Sequence, residues 1–134
     1  MILVDAGPLV ALVHADDKHH QECKAALASL REPMLTVWPA FTEAMYLLGF
    51  SGAAQDVLWQ ILESDALLMA DLQEEDCFRM RELMRKYRDL PMDLADAALV
   101  RVGEREHLRR IFTIDRRDFE IYRPQGIRRF EIVP

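Results

Sequence analysis

The chain has 134 residues, of which 51% are hydrophobic and 30% charged, and its formal net charge is −6. This length and balance are typical of one globular domain and exclude a multidomain assembly, so we expect a single domain over residues 1–134. The negative charge argues at first against a nucleic-acid partner, because binding to a polyanion depends on Lys and Arg side chains.

Cysteine content and hydropathy bear on the compartment. Cys23 and Cys77 lie in separate predicted helices without C-x-x-C spacing, which suits a reducing cytoplasm better than a disulfide framework. The longest apolar run, at 6–13, is far too short to span a bilayer. We therefore expect a cytoplasmic protein without a membrane segment.

Strands and helices are predicted to alternate through the first half of the chain. Short apolar runs stopped by Asp, Gly or Pro favour buried strands, and Pro8 suits the first turn of a helix. In chain order the predicted elements are a strand at 2–4, a helix from Pro8 to about His14, a helix at 19–30, a strand at 34–37, a helix from Pro39 to near Gly49, a helix at 52–63 and a strand at 66–69.

The second half continues the alternation. Asp71 is expected to cap a long helix running to Arg88, in which Cys77 and other apolar residues recur at helical spacing. Residues 94–100 are apolar nearly all round, which indicates a buried helix. Strands are predicted at 111–114 and, as an edge strand, at 127–133. Together these elements indicate a compact α/β fold with a mostly parallel sheet of four or five strands, flanked by helices on both faces.

Acidic residues are placed to meet at one edge of this sheet. Asp5 and Asp115 each directly follow a predicted strand, and ligands of parallel sheets bind beyond the carboxyl ends of the strands. Glu43 lies one turn inside the helix after the second strand, and Asp96 lies in the first turn of the most buried helix. Such carboxylates repel one another unless a cation lies between them. Ligands that are all oxygen suit Mg²⁺ or Mn²⁺, whose bound waters can attack a phosphodiester.

Each acid also has a purely structural interpretation. The spacing of Asp93 and Asp96 is that of a helix N-cap and its third residue, and for Asp93 capping is the favoured interpretation. The alternatives for the other acids are a helix cap for Asp5, Asx turns for Asp115 and Asp118, and a solvated helix face for Glu43. Asp96 differs, because its neighbours are apolar and a carboxylate buried among them needs a cation or donors. The convergence of the four acids favours a functional site.

Five segments form a pattern that runs in order through essentially the whole chain. They read VDAGPLVAL at 4–12, DDKHH at 16–20, TEAMYLL at 42–48, LADAALV at 94–100 and FTIDRRDF at 112–119. In this combination they resemble PIN domains, in particular the VapC-type toxins. The resemblance implies a compact PIN-like fold and a Mg²⁺- or Mn²⁺-dependent ribonuclease site.

The resemblance also implies roles for individual residues. Asp5, Glu43, Asp96 and Asp115 fall on the four acidic positions of the PIN site. Asp5, Asp96 and Asp115 would hold the metal, and Glu43 would orient or deprotonate the attacking water. In supporting positions of the last segment stand Thr113, a hydroxyl near the site, and Asp118, a less constant acid.

One position departs from the pattern of the PIN family. Many PIN domains have Ser or Thr two residues after the first Asp, whereas Gly7 stands there in this chain. The missing hydroxyl bears on metal affinity and phosphate positioning.

By resemblance, the expected protein partners are a small VapB-type antitoxin and a second copy of the chain in a homodimer.

Basic residues collect in the last quarter of the chain. Residues 101–134 contain nine Arg and six acidic residues. Arg116 and Arg117, which directly follow Asp115, are predicted to contact an RNA backbone at the rim of the site, with a solvated surface as the alternative. The net charge is therefore compatible with an acidic metal site that has a basic margin.

Two other function classes are alternatives to a ribonuclease. A receiver domain of a signalling relay needs a Lys after a late strand, and no Lys follows Lys86. A PIN-fold module that binds RNA or a protein without turnover remains the alternative, although the complete acidic quartet disfavours it.

Overall fold

Five short parallel strands form one sheet, in the order β3-β2-β1-β4-β5. The structure is a computed structural model that describes residues 1–134. The strands are β1 (Ile2–Val4), β2 (Met34–Thr36), β3 (Leu67–Met69), β4 (Arg110–Phe112) and β5 (Glu131–Val133). The prediction of a parallel sheet of four or five strands is confirmed, as is the position of the last strand at an edge.

Seven helices connect the strands and cover both faces of the sheet. They are α1 (Ala6–Val13), α2 (His20–Ser29), α3 (Trp38–Leu47), α4 (Gly52–Glu63), α5 (Glu74–Lys86), α6 (Leu94–Glu106) and α7 (Arg116–Ile121). Side chains along β1 alternate between two cores. Ile2 and Val4 pack into the core of the α1–α4 face, and Leu3 packs into the core of the α5–α7 face. Helices on both faces confirm the predicted α/β layering.

Capping explains where two helices begin at residues other than those predicted. Helix α1 begins at Ala6 rather than Pro8, because the Asp5 carboxylate accepts a hydrogen bond of 2.8 Å from the Ala6 N–H. Asp71 does not cap α5. The N-cap is Gln73, whose backbone N–H donates to the Asp76 carboxylate at 2.8 Å in a reciprocal capping box. The prediction of an Asp71 cap is therefore wrong.

Three further differences concern packing and strand length. Cys77, predicted on the apolar face of α5, is exposed, whereas Met80 and Leu83, predicted on the same face, are buried. The strand predicted at 111–114 begins one residue earlier, at Arg110, and ends two residues earlier, at Phe112. Strand β5 is shorter than the predicted 127–133, because the chain bends over 125–128 and pairs with β4 only from Glu131 to Val133.

No helix combines the length and the apolar character that crossing a lipid bilayer requires.

Candidate active site

Strands β1 and β4 are neighbours, so the residues that follow them meet at the carboxyl edge of the sheet. The backbone N–H of Asp5 donates to the Phe112 carbonyl at 3.0 Å. Thr113 then links the two segments, because its hydroxyl donates to Asp5 Oδ2 at 3.1 Å and accepts from the backbone N–H of Asp115 at 3.0 Å. Asp5 and Thr113 are both buried. The sheet thus holds the Asp5 and Asp115 segments together, as their positions after strands predicted.

Asp96 is buried in the first turn of α6, beside these two segments. Its Oδ2 accepts a hydrogen bond of 2.7 Å from the Tyr122 hydroxyl, and its backbone N–H donates to the Asp93 carboxylate at 2.8 Å. The second carboxylate oxygen, Oδ1, has no protein donor. It is accessible to solvent. One oxygen of Asp96 is therefore fixed by Tyr122, and the other is free to accept a ligand.

The carboxyl groups at this edge hold protons more tightly than isolated acids. Burial raises the pKa of Asp96 to about 8, and the negative charge of Asp5 adds to the effect. Burial also raises the pKa of Asp5 to about 6, although the Ala6 N–H and the Thr113 hydroxyl favour its ionised form. Hydrogen-bond donors thus offset only part of the effect of burial, and neither residue has a Lys or Arg partner.

Glu43 approaches the same edge from α3. Its exposed side chain lines a cleft of about 680 Å³ together with Asp93. Partial burial in this cleft and the charge of Asp93 raise the pKa of Glu43, and Glu43 in turn raises the pKa of Asp5. The predicted convergence of Glu43 with the other acids agrees with this electrostatic coupling.

Asp115 and Asp118 complete the group of carboxylates at this edge of the sheet, which also includes Asp5, Glu43 and Asp96. We call this group the acidic edge. Carboxylate oxygens of Asp96, Asp115 and Asp118 all lie within 4.8 Å of one another. Burial raises the pKa of Asp115, and a hydrogen bond with Asp118 adds to the effect, whereas the Arg117 charge opposes it. Asp118, predicted in a supporting position, therefore lies within the tightest acidic group, and Asp5 lies beside that group rather than in it.

The donor set fits a divalent cation. All the candidate ligands are carboxylate oxygens, which Mg²⁺ and Mn²⁺ prefer. The Asp96, Asp115 and Asp118 oxygens, within 4.8 Å of one another, would be the residues to hold such an ion. Burial raises the pKa of both Asp96 and Asp115, so a bound cation would favour their ionised forms.

Two residues of the site were not predicted to belong to it. Asp93 caps α6 as expected, but its charge also raises the pKa of Asp5, Glu43 and Asp96, so it is part of the acidic edge. Tyr122 has no signal in the sequence, because the chain after α7 brings its hydroxyl to Asp96, 26 residues away. Only the tertiary fold reveals its position.

Of the two predicted RNA-binding arginines, Arg116 has protein partners. Its guanidinium donates to the Glu120 carboxylate at 3.0 Å and to the Pro134 carbonyl at 2.9 Å. Arg117 is exposed, and its charge lowers the pKa of Asp115. The interpretation of both as RNA contacts stays a prediction, and for Arg116 it requires a change of partners.

The structure gives a physical reason for the glycine at position 7. A Cβ atom at Gly7 would lie 2.5 Å from Cγ1 and 2.8 Å from Cδ1 of Ile114. Ile114 thus occupies the space that a Ser or Thr side chain would need. A hydroxyl near Asp5 is nevertheless present, because Thr113 donates to Asp5 Oδ2.

Comparison with known proteins agrees with this architecture. A curated relative, Ribonuclease VapC26 from Mycobacterium tuberculosis, is 26% identical over 135 aligned positions, which cover 99% of this chain and 100% of the relative. The crystal structure of VapC20 from the same species, described as a toxin that cleaves the sarcin-ricin loop, superposes with a TM-score of 0.76 at 18% identity and covers 83% of this chain and 87% of that one.

A second solved structure and a family model complete the comparison. A toxin-antitoxin complex from Klebsiella pneumoniae contains a chain that matches with a TM-score of 0.71 at 15% identity, over 100% of this chain and 97% of that one. These structural matches show that the fold is shared. The family model described as PIN domain matches residues 2–123. With its parallel sheet and the acidic edge beyond β1 and β4, the chain belongs to the PIN domain family.

Proposed function

We propose that this protein is a Mg²⁺- or Mn²⁺-dependent ribonuclease that hydrolyses phosphodiester bonds of RNA and serves as the toxin of a VapBC-type pair. The observation that carries the proposal is the set of carboxylate oxygens of Asp96, Asp115 and Asp118 within 4.8 Å, on the sheet edge of a PIN domain. The name of the curated relative, a ribonuclease, supports the same activity.

Each acidic residue has a task in this proposal. Asp96 and Asp115, with Asp118 beside them, would hold the metal ion, and Asp5 would add its carboxylate from the end of β1. Tyr122 and Thr113 orient Asp96 and Asp5 through the hydrogen bonds to their Oδ2 atoms. The buried setting keeps these carboxylates in fixed positions, which metal-assisted catalysis requires.

Glu43 is the candidate general base. Its pKa is raised by partial burial and by Asp93, which makes its carboxylate a better proton acceptor near neutral pH. It would take a proton from the attacking water at the mouth of the cleft. A bound divalent ion would lower the pKa of a water molecule and stabilise the charge that develops on the phosphate oxygens.

Cleavage assays with purified protein test the proposal. Wild-type protein is expected to cut single-stranded RNA with Mg²⁺ or Mn²⁺ and to lose activity with a chelator. Asp5→Asn and Asp96→Asn should each lower the rate at least 100-fold, because a neutral amide is a poor ligand for a hard cation. Asp16→Asn is the matched control, since Asp16 is exposed in the turn after α1 and outside the acidic edge.

Two outcomes would contradict the proposal. An Asp96→Asn variant that cuts RNA at the wild-type rate would remove the metal site from the mechanism. RNA that is retained without divalent ions and is never cut would favour the binding module without turnover. Sequencing the cleavage ends from total RNA would identify the substrate.

The proposal includes protein partners and a compartment. The solved structure of a toxin-antitoxin complex with this fold supports a VapB-type antitoxin partner, and family resemblance supports a homodimer. Exposed apolar side chains on α3 and α4, including Trp38, Tyr46 and Trp59, offer surface for such contacts. A cytoplasmic site of action fits the two free cysteines. A short reading frame next to the gene would be the candidate for the antitoxin. Light scattering of the protein with and without its product would test both partners.

A further inference from the structure

Helix α5 presents arginines that have no acidic partner. Arg81 and Arg85 lie one turn apart on α5, Arg88 lies in the turn that follows, and all three are exposed. No ion pair in the structure includes any of them. We call these three residues the arginine ridge.

Neighbouring arginines behave differently. On the other side of the same helix, Arg79 pairs with Glu82 and with Glu104. From α6, Arg101 and Arg105 pair with Asp76 at 2.7 and 2.6 Å. The fold thus neutralises the basic side chains between α5 and α6 and leaves the arginine ridge without internal counter-charges.

The ridge borders a groove of about 650 Å³ between α5 and the segment that leads into α6. No Asp or Glu lines the groove. Its floor consists of the apolar side chains Met80, Met84, Pro91, Met92 and Leu94. A groove with an apolar floor and a wholly basic rim favours an anionic occupant that also has apolar faces, as a nucleotide chain does.

The groove continues into the catalytic cleft. Leu94, half exposed, lines both the groove and the cleft that contains Glu43 and Asp93. Asp96, with its free oxygen, is two residues further along α6. A polymer whose cleaved bond lies at the acidic edge can therefore extend past Leu94 onto the arginine ridge without leaving the surface.

We propose that the arginine ridge of Arg81, Arg85 and Arg88 binds backbone phosphates of the single-stranded RNA substrate on one side of the cleaved bond. Guanidinium groups match phosphate oxygens in charge and in bidentate geometry. The acidic edge repels RNA, and a basic surface next to it offsets that repulsion. An acidic protein segment could use the same charges, but the continuity with the cleft favours the RNA. This inference rests on the proposed ribonuclease activity.

The test compares two triple variants with equal loss of charge. Arg81→Gln, Arg85→Gln and Arg88→Gln together remove the ridge. Arg31→Gln, Arg109→Gln and Arg128→Gln remove three exposed arginines that precede strands, at the opposite edge of the sheet. Both triples are placed in the Asp96→Asn background, so that RNA stays intact, and binding to a fluorescein-labelled 20-nucleotide single-stranded RNA is measured by fluorescence anisotropy at several salt concentrations.

The ridge variant is expected to bind the RNA roughly 10-fold more weakly, and the slope of log K against log salt should fall by about 2, since each phosphate contact to a single strand contributes about 0.7. The opposite-edge variant should keep the wild-type slope. A third variant combines Arg81→Lys, Arg85→Lys and Arg88→Lys. It should recover most of the affinity and all of the slope, because it restores the charge. Circular dichroism verifies that each variant is folded.

Equal losses in the ridge and opposite-edge variants, or no loss in either, would overturn the inference. Unchanged RNA binding by the ridge variant alone would overturn it as well and would leave an acidic protein segment as the occupant to test. The proposed function is tested separately, by RNA cleavage with protein that lacks the Asp96→Asn substitution. If wild-type protein cuts RNA in an Asp96-dependent way and the ridge variant binds normally, only this inference fails. If wild-type protein never cuts RNA, the proposed function fails whatever the ridge does.

Discussion

The hydrogen bond from Tyr122 to Asp96 shows how one hydroxyl prepares a carboxylate for its ligand. Tyr122 is fully buried, and its ring packs against Tyr87 and Phe119 with centroid distances of 5.0 and 5.2 Å. The rings therefore fix the position of the hydroxyl, which donates to Oδ2 of Asp96. Because the bond favours the ionised carboxylate, it opposes the effect of burial on the pKa of Asp96.

Tyr122→Phe is therefore expected to weaken metal binding in a pH-dependent way. Without the hydroxyl, the pKa of Asp96 rises further above about 8, so that the cation must displace a more tightly held proton at neutral pH. Affinity for Mn²⁺ should fall several-fold at pH 7, and the difference should largely vanish at pH 9. Isothermal titration calorimetry at both pH values measures the effect.

Tyr87→Phe is the matched control. It removes a hydroxyl from the same aromatic group, but that hydroxyl accepts from the backbone N–H of Arg123 at 2.8 Å and does not touch Asp96. Equal Mn²⁺ affinities for Tyr122→Phe and wild type at pH 7 would show that the Tyr122 hydroxyl has only a packing role.

At the scale of elements, helices α5 and α6 are joined by ion pairs as well as by apolar contacts. The Asp76 side chain is fully buried and accepts hydrogen bonds from Arg101 at 2.7 Å and Arg105 at 2.6 Å. Burial alone would raise the pKa of Asp76, but the Gln73 N–H and the two guanidinium groups hold it below its usual value. Asp76 thus closes the capping box of α5 and links it to α6, which bears Asp96.

We expect Asp76→Ala to destabilise the protein by roughly 3–5 kcal/mol, because two partly buried guanidinium groups lose their counter-charge. The stabilisation by Asp76 should be present above pH 3.8, the usual pKa of the group, and should be lost as the pH falls through its lower folded-state pKa. Urea denaturation at pH 7 measures the difference.

Glu82→Ala provides the comparison for that measurement. Glu82 also pairs with an arginine of α5, but its side chain is 65% exposed. A loss within about 0.5 kcal/mol is expected, as for other surface pairs. If Asp76→Ala cost no more than Glu82→Ala, the buried pairs would not stabilise the α5–α6 contact.

The sequence predicted the order and type of every element except α7, which was not predicted, because each strand is a short apolar run between turn residues. It also predicted that the segments of Asp5 and Asp115 lie side by side, because both follow strands of a parallel sheet. Helix starts were less predictable, since either Asp71 or Gln73 can serve as a cap and the reciprocal bond with Asp76 decides between them. The contact of Tyr122 with Asp96 depends on the packing of α7 and could not be predicted from local pattern.

For the whole molecule, the acidic edge makes stability depend on pH and on metal. In the unfolded chain Asp5 and Asp96 ionise near their usual value of 3.8, whereas in the folded protein they ionise near about 6 and about 8. As the pH rises from 4 to 8, the unfolded state loses protons first, so the metal-free protein becomes less stable. Below pH 4 both states are protonated and the effect is absent.

Asp96→Asn should therefore stabilise the metal-free protein at pH 8, by roughly 2 kcal/mol, and have little effect at pH 4. In 1 mM Mn²⁺ at pH 8 the melting temperature of the wild type should rise, and that of Asp96→Asn should rise much less. Denaturation with a chelator and thermal melts with Mn²⁺ measure the two effects. Parallel pH profiles for wild type and Asp96→Asn would contradict this account.

The link between Asp5 and Thr113 also determines when the acidic site can assemble during synthesis of the chain. The two residues are 108 positions apart in the chain, and β1 pairs with β4 across a similar distance. Strands β1, β2 and β3 are translated before β4, which completes the sheet beside β1. Asp115 is translated long after Asp5 and Glu43. The acidic site is thus complete only after translation has passed Asp115.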